Sequence, residues 1–366
     1  MPRSAVSRAH SAKPHGNLER GPNIFHFDDL LTTDKRIVFY GAGNYAREFT
    51  RRNCMESRNL RLPDYVCDRD RTKWGSDFAG AEICSPERLE AEAVDDVIVI
   101  ITTSPFLVLG DVHDRLYYYN FLTAASLEMR FCLAKEPAPE VNDLCARFAD
   151  DKSRRVFHAM TQGQADGQVW FRDIYEPHPY FGNDVVPSLP DGEVLVDAGA
   201  YTGGHIAAFG RANKNFRAVY AFEPHAPHLK AIVDRFAGDS RVKAIGKGLF
   251  SENAWVAFDD AIPLGSHIAL QDAGSSGKRV EVVRLDDAVD DGVTYIKMDI
   301  EGAELNALAG CQETIRTNRP KLAICVYHRP SDYFEIPRLI HLMRPDYRLY
   351  LRQHSPFNID TVLYAV

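Results

Sequence analysis

The chain has 366 residues, a net charge of −8 and 45% hydrophobic content, enough for two globular domains with a core in each. The acidic balance, with both signs interspersed, argues against nucleic acid or a membrane surface as partner, since either asks for a basic face. No run of about eighteen apolar residues occurs, so a membrane-spanning helix is excluded. The seven cysteines are scattered, odd in number and never spaced as CxxC, a pattern that fits reduced thiols in a cytoplasmic protein rather than a zinc site or a disulfide framework.

Residues 1–22 are Ser-, Arg- and His-rich and lack the apolar run of a signal peptide, so they read as a disordered leader. Ile37 to Tyr40 then forms a strand, followed at once by Gly41-Ala42-Gly43-Asn44-Tyr45-Ala46. This is the GxGxxA form of a strand–turn–helix, whose glycines let the backbone approach a phosphate at a helix N-terminus. A second strand, Tyr65 to Cys67, ends in Asp68, where a ribose-binding carboxylate would stand. Val97 to Ile101 is the unbroken apolar run of a strand buried on both faces. Residues 23–135 are therefore expected to form a small Rossmann-like domain, with Gly41, Gly43 and Asp68 as candidate nucleotide contacts. The same turn can serve helix–strand packing alone.

Pro137 and Pro139 break the chain, and residues 136–178 read as a helical bridge. Val141, Leu144, Cys145 and Phe148 repeat at helical spacing, as do Val156, Phe157 and Met160. From residue 179 to 366 the order of elements is more informative. A strand over Glu193 to Val196 leads into Asp197-Ala198-Gly199-Ala200-Tyr201-Thr202-Gly203-Gly204, and a helix opens at His205. The spacing D-x-G-x-x-x-G puts a carboxylate ahead of the first glycine and makes a loop wider than a dinucleotide turn. It suits a nucleoside that carries an amino acid, namely S-adenosylmethionine. About twenty residues on, the strand Ala218 to Phe222 ends in Glu223, placed to hold a ribose diol.

Further strands are expected near Val242 to Ile245, reaching Gly248-Leu249-Phe250, at Tyr295 to Met298 ending in Asp299, and at Lys321 to Val326 before Tyr327 and His328. An insertion, Asp259 to Lys278, reads as a glycine- and serine-rich loop that can cover the acceptor. Tyr347 to Leu351 and Thr361 to Val366 form a closing antiparallel hairpin, which a methyltransferase sheet needs and a dehydrogenase does not. The fold class is thus α/β: two Rossmann-like domains, the second a seven-stranded methyltransferase sheet ending in an antiparallel hairpin.

These segments resemble the FkbM-type methyltransferases from about Val194 to Ala365. The resemblance is carried by VLVDAGAYTGG, AFEPH, RLDD at Arg284 to Asp287, IKMDIEGAELNALAG from Ile296 to Gly310, and RPKLAICVYHRPSD. It implies S-adenosylmethionine as methyl donor and oxygen as the usual acceptor, on sugars, polysaccharides or natural products. Carried over by position, Asp197, Gly199, Ala200, Tyr201 and Gly203 match the cofactor turn and Glu223 the ribose carboxylate. Asp299 falls where cofactor and acceptor meet, with Glu301 and Glu304 close behind. His225 and His228 depart from the small polar residues usual after Glu223-Pro224 and read as surface histidines.

A sugar hydroxyl is a poor nucleophile, so the chemistry asks for a base. His328, beyond the carboxyl end of its strand, is the first candidate, Asp299 the rival, and Glu301 the neighbouring carboxylate. Asp299, Glu301 and His328 can share a divalent ion, but their spacing is not a diagnostic ligand pattern and no metal is assigned. The reading is an S-adenosylmethionine-dependent O-methyltransferase of a small-molecule or glycan hydroxyl. Its competitors are an NAD-linked sugar-nucleotide oxidoreductase using the Gly41 turn, and a catalytically silent scaffold for glycan enzymes. Oligomeric state has no signature here.

Overall fold

The computed structural model describes residues 30, 32–56, 60–93, 96–103, 120–166, 174–259, 267–269, 278–355 and 359–366. The leader and most of the Asp259 to Lys278 insertion lie outside the described residues. The chain divides into two units, up to Ala124 and from Ala125 onward.

The first unit contains β1 (Arg36–Tyr40), α1 (Asn44–Thr50), β2 (Tyr65–Cys67), β3 (Asp77–Phe78), β4 (Ala81–Cys84), β5 (Val97–Ile101) and β6 (Asn120–Thr123). Its sheet has the order β3-β4-β2-β1-β5-β6, parallel except for β3. All five residues of β5 are buried, as its place between two neighbours demands. Gly41 has φ +112°, and a Cβ there would stand 2.6 Å from Thr103 Cβ, so glycine is required by the close packing of the turn on the end of β5. Asp68 spends its carboxylate inside the protein: it accepts from the Ala42 and Asp70 N–H groups, each at 2.8 Å, and pairs with Lys73 at 3.0 Å.

The second unit opens with α2 (Ala124–Leu133), α3 (Ala138–Arg147) and α4 (Asp151–His158). The sequence placed the first of these at the end of the first domain, but its Met129 joins the core of the second unit. Asp150 caps α4 by accepting from the Ser153 N–H. There follow β7 (Val194–Ala198), α5 (Gly204–Ala212), β8 (Ala218–Phe222), α6 (Ala226–Arg235), β9 (Val242–Ile245), β10 (Gly248–Leu249), β11 (Ala254–Asp259), β12 (His267–Ala269) and β13 (Arg279–Val283). The chain continues with α7 (Leu285–Ala288), β14 (Tyr295–Met298), α8 (Glu304–Ala309), α9 (Gln312–Asn318), β15 (Lys321–Cys325), α10 (Asp332–Met343), β16 (Leu349–Gln353) and β17 (Thr361–Ala365).

The main sheet has seven strands in the order β16-β17-β15-β14-β7-β8-β9. β17 slots antiparallel between β15 and β16, which is the closing hairpin expected from the sequence. Val194, Val196 and Ala198 face one core cluster and Leu195 the other, so helices cover both faces. The order reverses between β7 and β14, so their carboxyl ends border the crevice where open α/β sheets bind ligands.

One expectation is corrected. Gly248 and Leu249 do not extend the third strand of the main sheet. They begin a separate four-stranded sheet, β10-β13-β11-β12, in which β12 comes from the segment read as a loop and β11 and β13 flank that segment.

Candidate active site

Asp197 is the fourth residue of β7, and its register partner across the sheet is Lys297 on β14. Both side chains are about 1% exposed, and Lys297 Nζ lies 2.9 Å from Asp197 Oδ1. The same ammonium donates to the Gly199 carbonyl at 2.9 Å. Burial pulls Lys297 down, but Asp197 and Asp299 outweigh it and hold the ammonium above its ordinary value. A lysine inside a buried strand needs a counter-charge, and this one pins the loop that follows β7. Asp197 Oδ2 is buried and accepts no hydrogen bond from the described residues.

Gly199 has φ +73°, and a Cβ there would meet the Asp299 carbonyl oxygen at 1.9 Å. The turn after β7 and the end of β14 are therefore in backbone contact, which only glycine permits. Tyr201 and Glu301, one on each of these loops, are held in the left-handed region at φ 50° and 58°. Such conformations cost free energy and gather at functional sites.

These loops wall a cavity of about 310 Å³, within the range of small-ligand sites. Gly199, Ala200, Tyr201 and Gly204 come from the turn, Glu223 and His228 from the end of β8 and from α6, and Asp299 and Glu301 from the end of β14. Gly248, Leu249 and Phe258 bring the small sheet to the same space. Asp197 and Gly203 are not among the lining residues: Asp197 is fully buried in β7, and Gly203 faces Phe236.

Glu223 is buried, and its Oε2 and Oε1 accept from the Tyr201 and His225 N–H groups at 2.8 and 2.9 Å. Burial pushes its carboxyl up to about 7, against the pull of those N–H groups and of Lys297. His225 and His228 are not on the open surface. Their rings meet at 4.1 Å, and His228 packs edge-on against Tyr201 at 4.3 Å and lines the cavity.

Asp299 accepts from the Tyr327 hydroxyl at 3.1 Å and from the Tyr180 hydroxyl at 3.3 Å. Burial pushes its carboxyl up, yet Lys297, His328 and the Tyr327 hydroxyl prevail and hold it below its ordinary value. His328 stands behind this group, with Nδ1 2.9 Å from Glu304 and Nε2 3.4 Å from Asp299 and 3.5 Å from Glu301. Burial lowers its basicity, but Glu304, Asp299 and Glu301 together raise it to about 10. The histidine expected as a base is thus held in its protonated form among three carboxylates.

The structure brings Gly199, Ala200, Tyr201, Glu223, Asp299 and Glu301 together around one cavity. Gly41, Gly43 and Asp68 belong to the other unit. Sequence reasoning missed Lys297, Tyr180 and Tyr327. The signal for the lysine was available: a charge inside the apolar run Tyr295 to Met298, level with the Asp197 strand. Tyr180 gave none, because it reaches Asp299 from 119 residues away.

Residues 197–350 match the model of the methyltransferase FkbM domain. No curated protein matches the chain. Among solved structures, the chain is similar to methyltransferase FkbM from Methylobacillus flagellatus KT, with 25% identity and a TM-score of 0.66, over 91% of this chain and 90% of that one. It is also similar to an rRNA methylase from Streptococcus thermophilus, with 19% identity and a TM-score of 0.31, over 49% of this chain and 88% of that one.

Proposed function

We propose that this chain, which carries a methyltransferase FkbM domain over residues 197–350, is an S-adenosylmethionine-dependent O-methyltransferase acting on a hydroxyl of a sugar, glycan or natural product in the cytoplasm. The observation that carries the reading is the convergence of the Asp197 turn, Glu223 and the Asp299–Glu301 loop on one cavity of about 310 Å³.

The residues present fit the donor. Glu223 offers the oxygen lone pairs left over from its two backbone bonds to a ribose diol. Asp197, paired with Lys297 at the base of the turn, holds in place the loop that would receive the amino-acid end of the donor. Tyr201 and His228 flank the cavity with ring surfaces on which an adenine can rest. S-adenosylmethionine, when bound, supplies a methyl group on a sulfonium.

The protein's part is to hold an acceptor oxygen in line and to take its proton. Asp299, kept anionic by Lys297 and His328 and oriented by Tyr327, positions the hydroxyl. Glu301, which lines the same cavity and is the more exposed carboxylate, takes the proton and passes it to solvent. His328, behind both and already protonated, acts as a positioning residue.

Titration calorimetry with S-adenosylhomocysteine tests the cofactor assignment, and absence of binding at high micromolar ligand removes it. Transfer of a labelled methyl group to a panel of sugar and natural-product hydroxyls tests the acceptor. Label that arrives only on nitrogen or carbon overturns O-methylation.

A further inference from the structure

Behind the cavity wall, one histidine and two carboxylates from three different segments meet. Asp299 follows β14, Glu304 opens α8 and His328 follows β15. One ligand-type atom from each lies within 4.8 Å of the others. Glu301 adds a third carboxylate, 3.5 Å from His328 Nε2, and Asp332, buried in α10, adds a fourth nearby. Of the local cations, Lys297 pairs with Asp197 and also acts on Asp299, and the Arg329 charge acts on Asp332. Four carboxylates thus gather around a single imidazole, in a place where charge is poorly solvated.

A second observation is independent of that count. Glu304 is fully buried, and while its Oε1 accepts from the Ile300 N–H at 2.8 Å, its Oε2 has no hydrogen-bond partner among the described residues. The ring nitrogens of His328 are buried too. Both sit near carboxylate oxygens without the angles of a hydrogen bond. Buried polar atoms left in this way mark an ion or water they were built to meet.

We propose that Asp299, Glu304 and His328 form a binding site for one divalent transition-metal ion, with Glu301 beside it at the cavity. One imidazole with two carboxylates suits Mn²⁺-like ions better than a site of oxygen donors alone, and the set leaves coordination positions open. The ion would meet the buried ligand atoms of Glu304 and His328 that the described residues leave without hydrogen-bond partners. Its use in catalysis rests on the methyltransferase reading: with Asp299 at the cavity wall, an acceptor hydroxyl entering there can become a further ligand and lose its proton more readily. Binding of the ion does not depend on that reading.

The test uses the full chain, stripped with a chelator and titrated with Mn²⁺, with free ion read from its paramagnetic resonance signal. Expected are one Mn²⁺ per chain, coupling to a single imidazole nitrogen in the pulsed spectrum, and affinity weakened by about 100-fold in Glu304→Gln and in His328→Gln. Circular dichroism and the thermal unfolding midpoint, measured on the same samples, report whether the variants are folded. Absence of stoichiometric uptake, absence of nitrogen coupling in the wild-type protein, or unchanged affinity in both folded variants each overturns the site. If neither variant folds, the wild-type nitrogen coupling decides. Mn²⁺ uptake without S-adenosylhomocysteine binding would sink the methyltransferase reading and leave the metal site standing.

Discussion

Lys297 and Asp197 occupy one register position on neighbouring parallel strands, and their charges meet at 2.9 Å inside the sheet. This pair sits at the base of the turn after β7 that we assign to the donor, so its removal should be felt in both stability and binding. Lys297→Met leaves a buried carboxylate without its partner and should cost about 3–5 kcal/mol, read as a lower denaturation midpoint. The double variant Lys297→Met with Asp197→Leu should recover most of that loss and still fail to bind S-adenosylhomocysteine. A double variant as unstable as the single one would show that the pair is not the source of the effect.

Glu223 gives a pH dependence whose sign follows from burial. Its folded-state value of about 7 lies above the ordinary 4.5, so the folded chain without ligand holds this proton more tightly than the unfolded chain. The contribution to stability is complete below about 4.5 and is lost as pH rises to about 7. Relative to Glu223→Gln, the wild-type protein should lose on the order of 2–3 kcal/mol across that window. Ribose hydroxyls favour the charged form, so affinity for S-adenosylhomocysteine should rise from pH 6 to 8 in the wild-type protein and stay flat in the variant. A flat wild-type profile would count against contact between this carboxylate and the ligand.

Glu301 is held at φ 58°, a conformation glycine adopts without penalty. Glu301→Gly should therefore raise stability by about 0.5–1 kcal/mol, the steric relief less the added freedom of the unfolded chain. Methyl transfer should fall about 100-fold with little change in cofactor affinity. A variant with normal turnover would remove Glu301 from the chemistry.

Arg352 on β16 is 2% exposed and donates to Asp150 at 2.7 Å, to Asp184 at 2.8 Å and to Ser153 at 2.9 Å. Burial pushes Asp150 up, but Arg352 and Ser153 bring it down to about 2. Arg352→Met should cost about 3 kcal/mol. Part of that difference, on the order of 1 kcal/mol because Asp150 is partly solvated, should be present above pH 4 and vanish as pH falls toward 2. Equal acid unfolding of the two proteins would argue against the assignment.

The main sheet was legible because its strands are short apolar runs that end in chemistry. Asp197, Glu223, Asp299 and His328 each stand at or just beyond a strand's carboxyl end, and the antiparallel close of the chain could be read from two late apolar segments. The small sheet was hidden for a physical reason. The half-exposed β13, Arg279-Val280-Glu281-Val282-Val283, offers only a weak alternation and is separated from β11 by glycine- and serine-rich chain. The protonation of His328 could not be read either. It depends on Glu304, Asp299 and Glu301 arriving from another segment, and no local spacing encodes that meeting. In the first unit the glycine motif was visible, but the sequence could not tell that Asp68 spends its oxygens on Ala42 and Asp70.

Strand β10 has a double allegiance: Gly248 and Leu249 pair with β13 in the small sheet and also wall the cavity. That side of the pocket is thus furnished by a panel whose hydrogen-bond ladder is separate from that of the seven main strands. Its side chains are nonetheless shared with the main body, for Leu249 and Val283 join the core of the large sheet and Phe250, Phe258 and Val282 pack with Ala303, so a substitution in this panel reshapes both walls of the cavity.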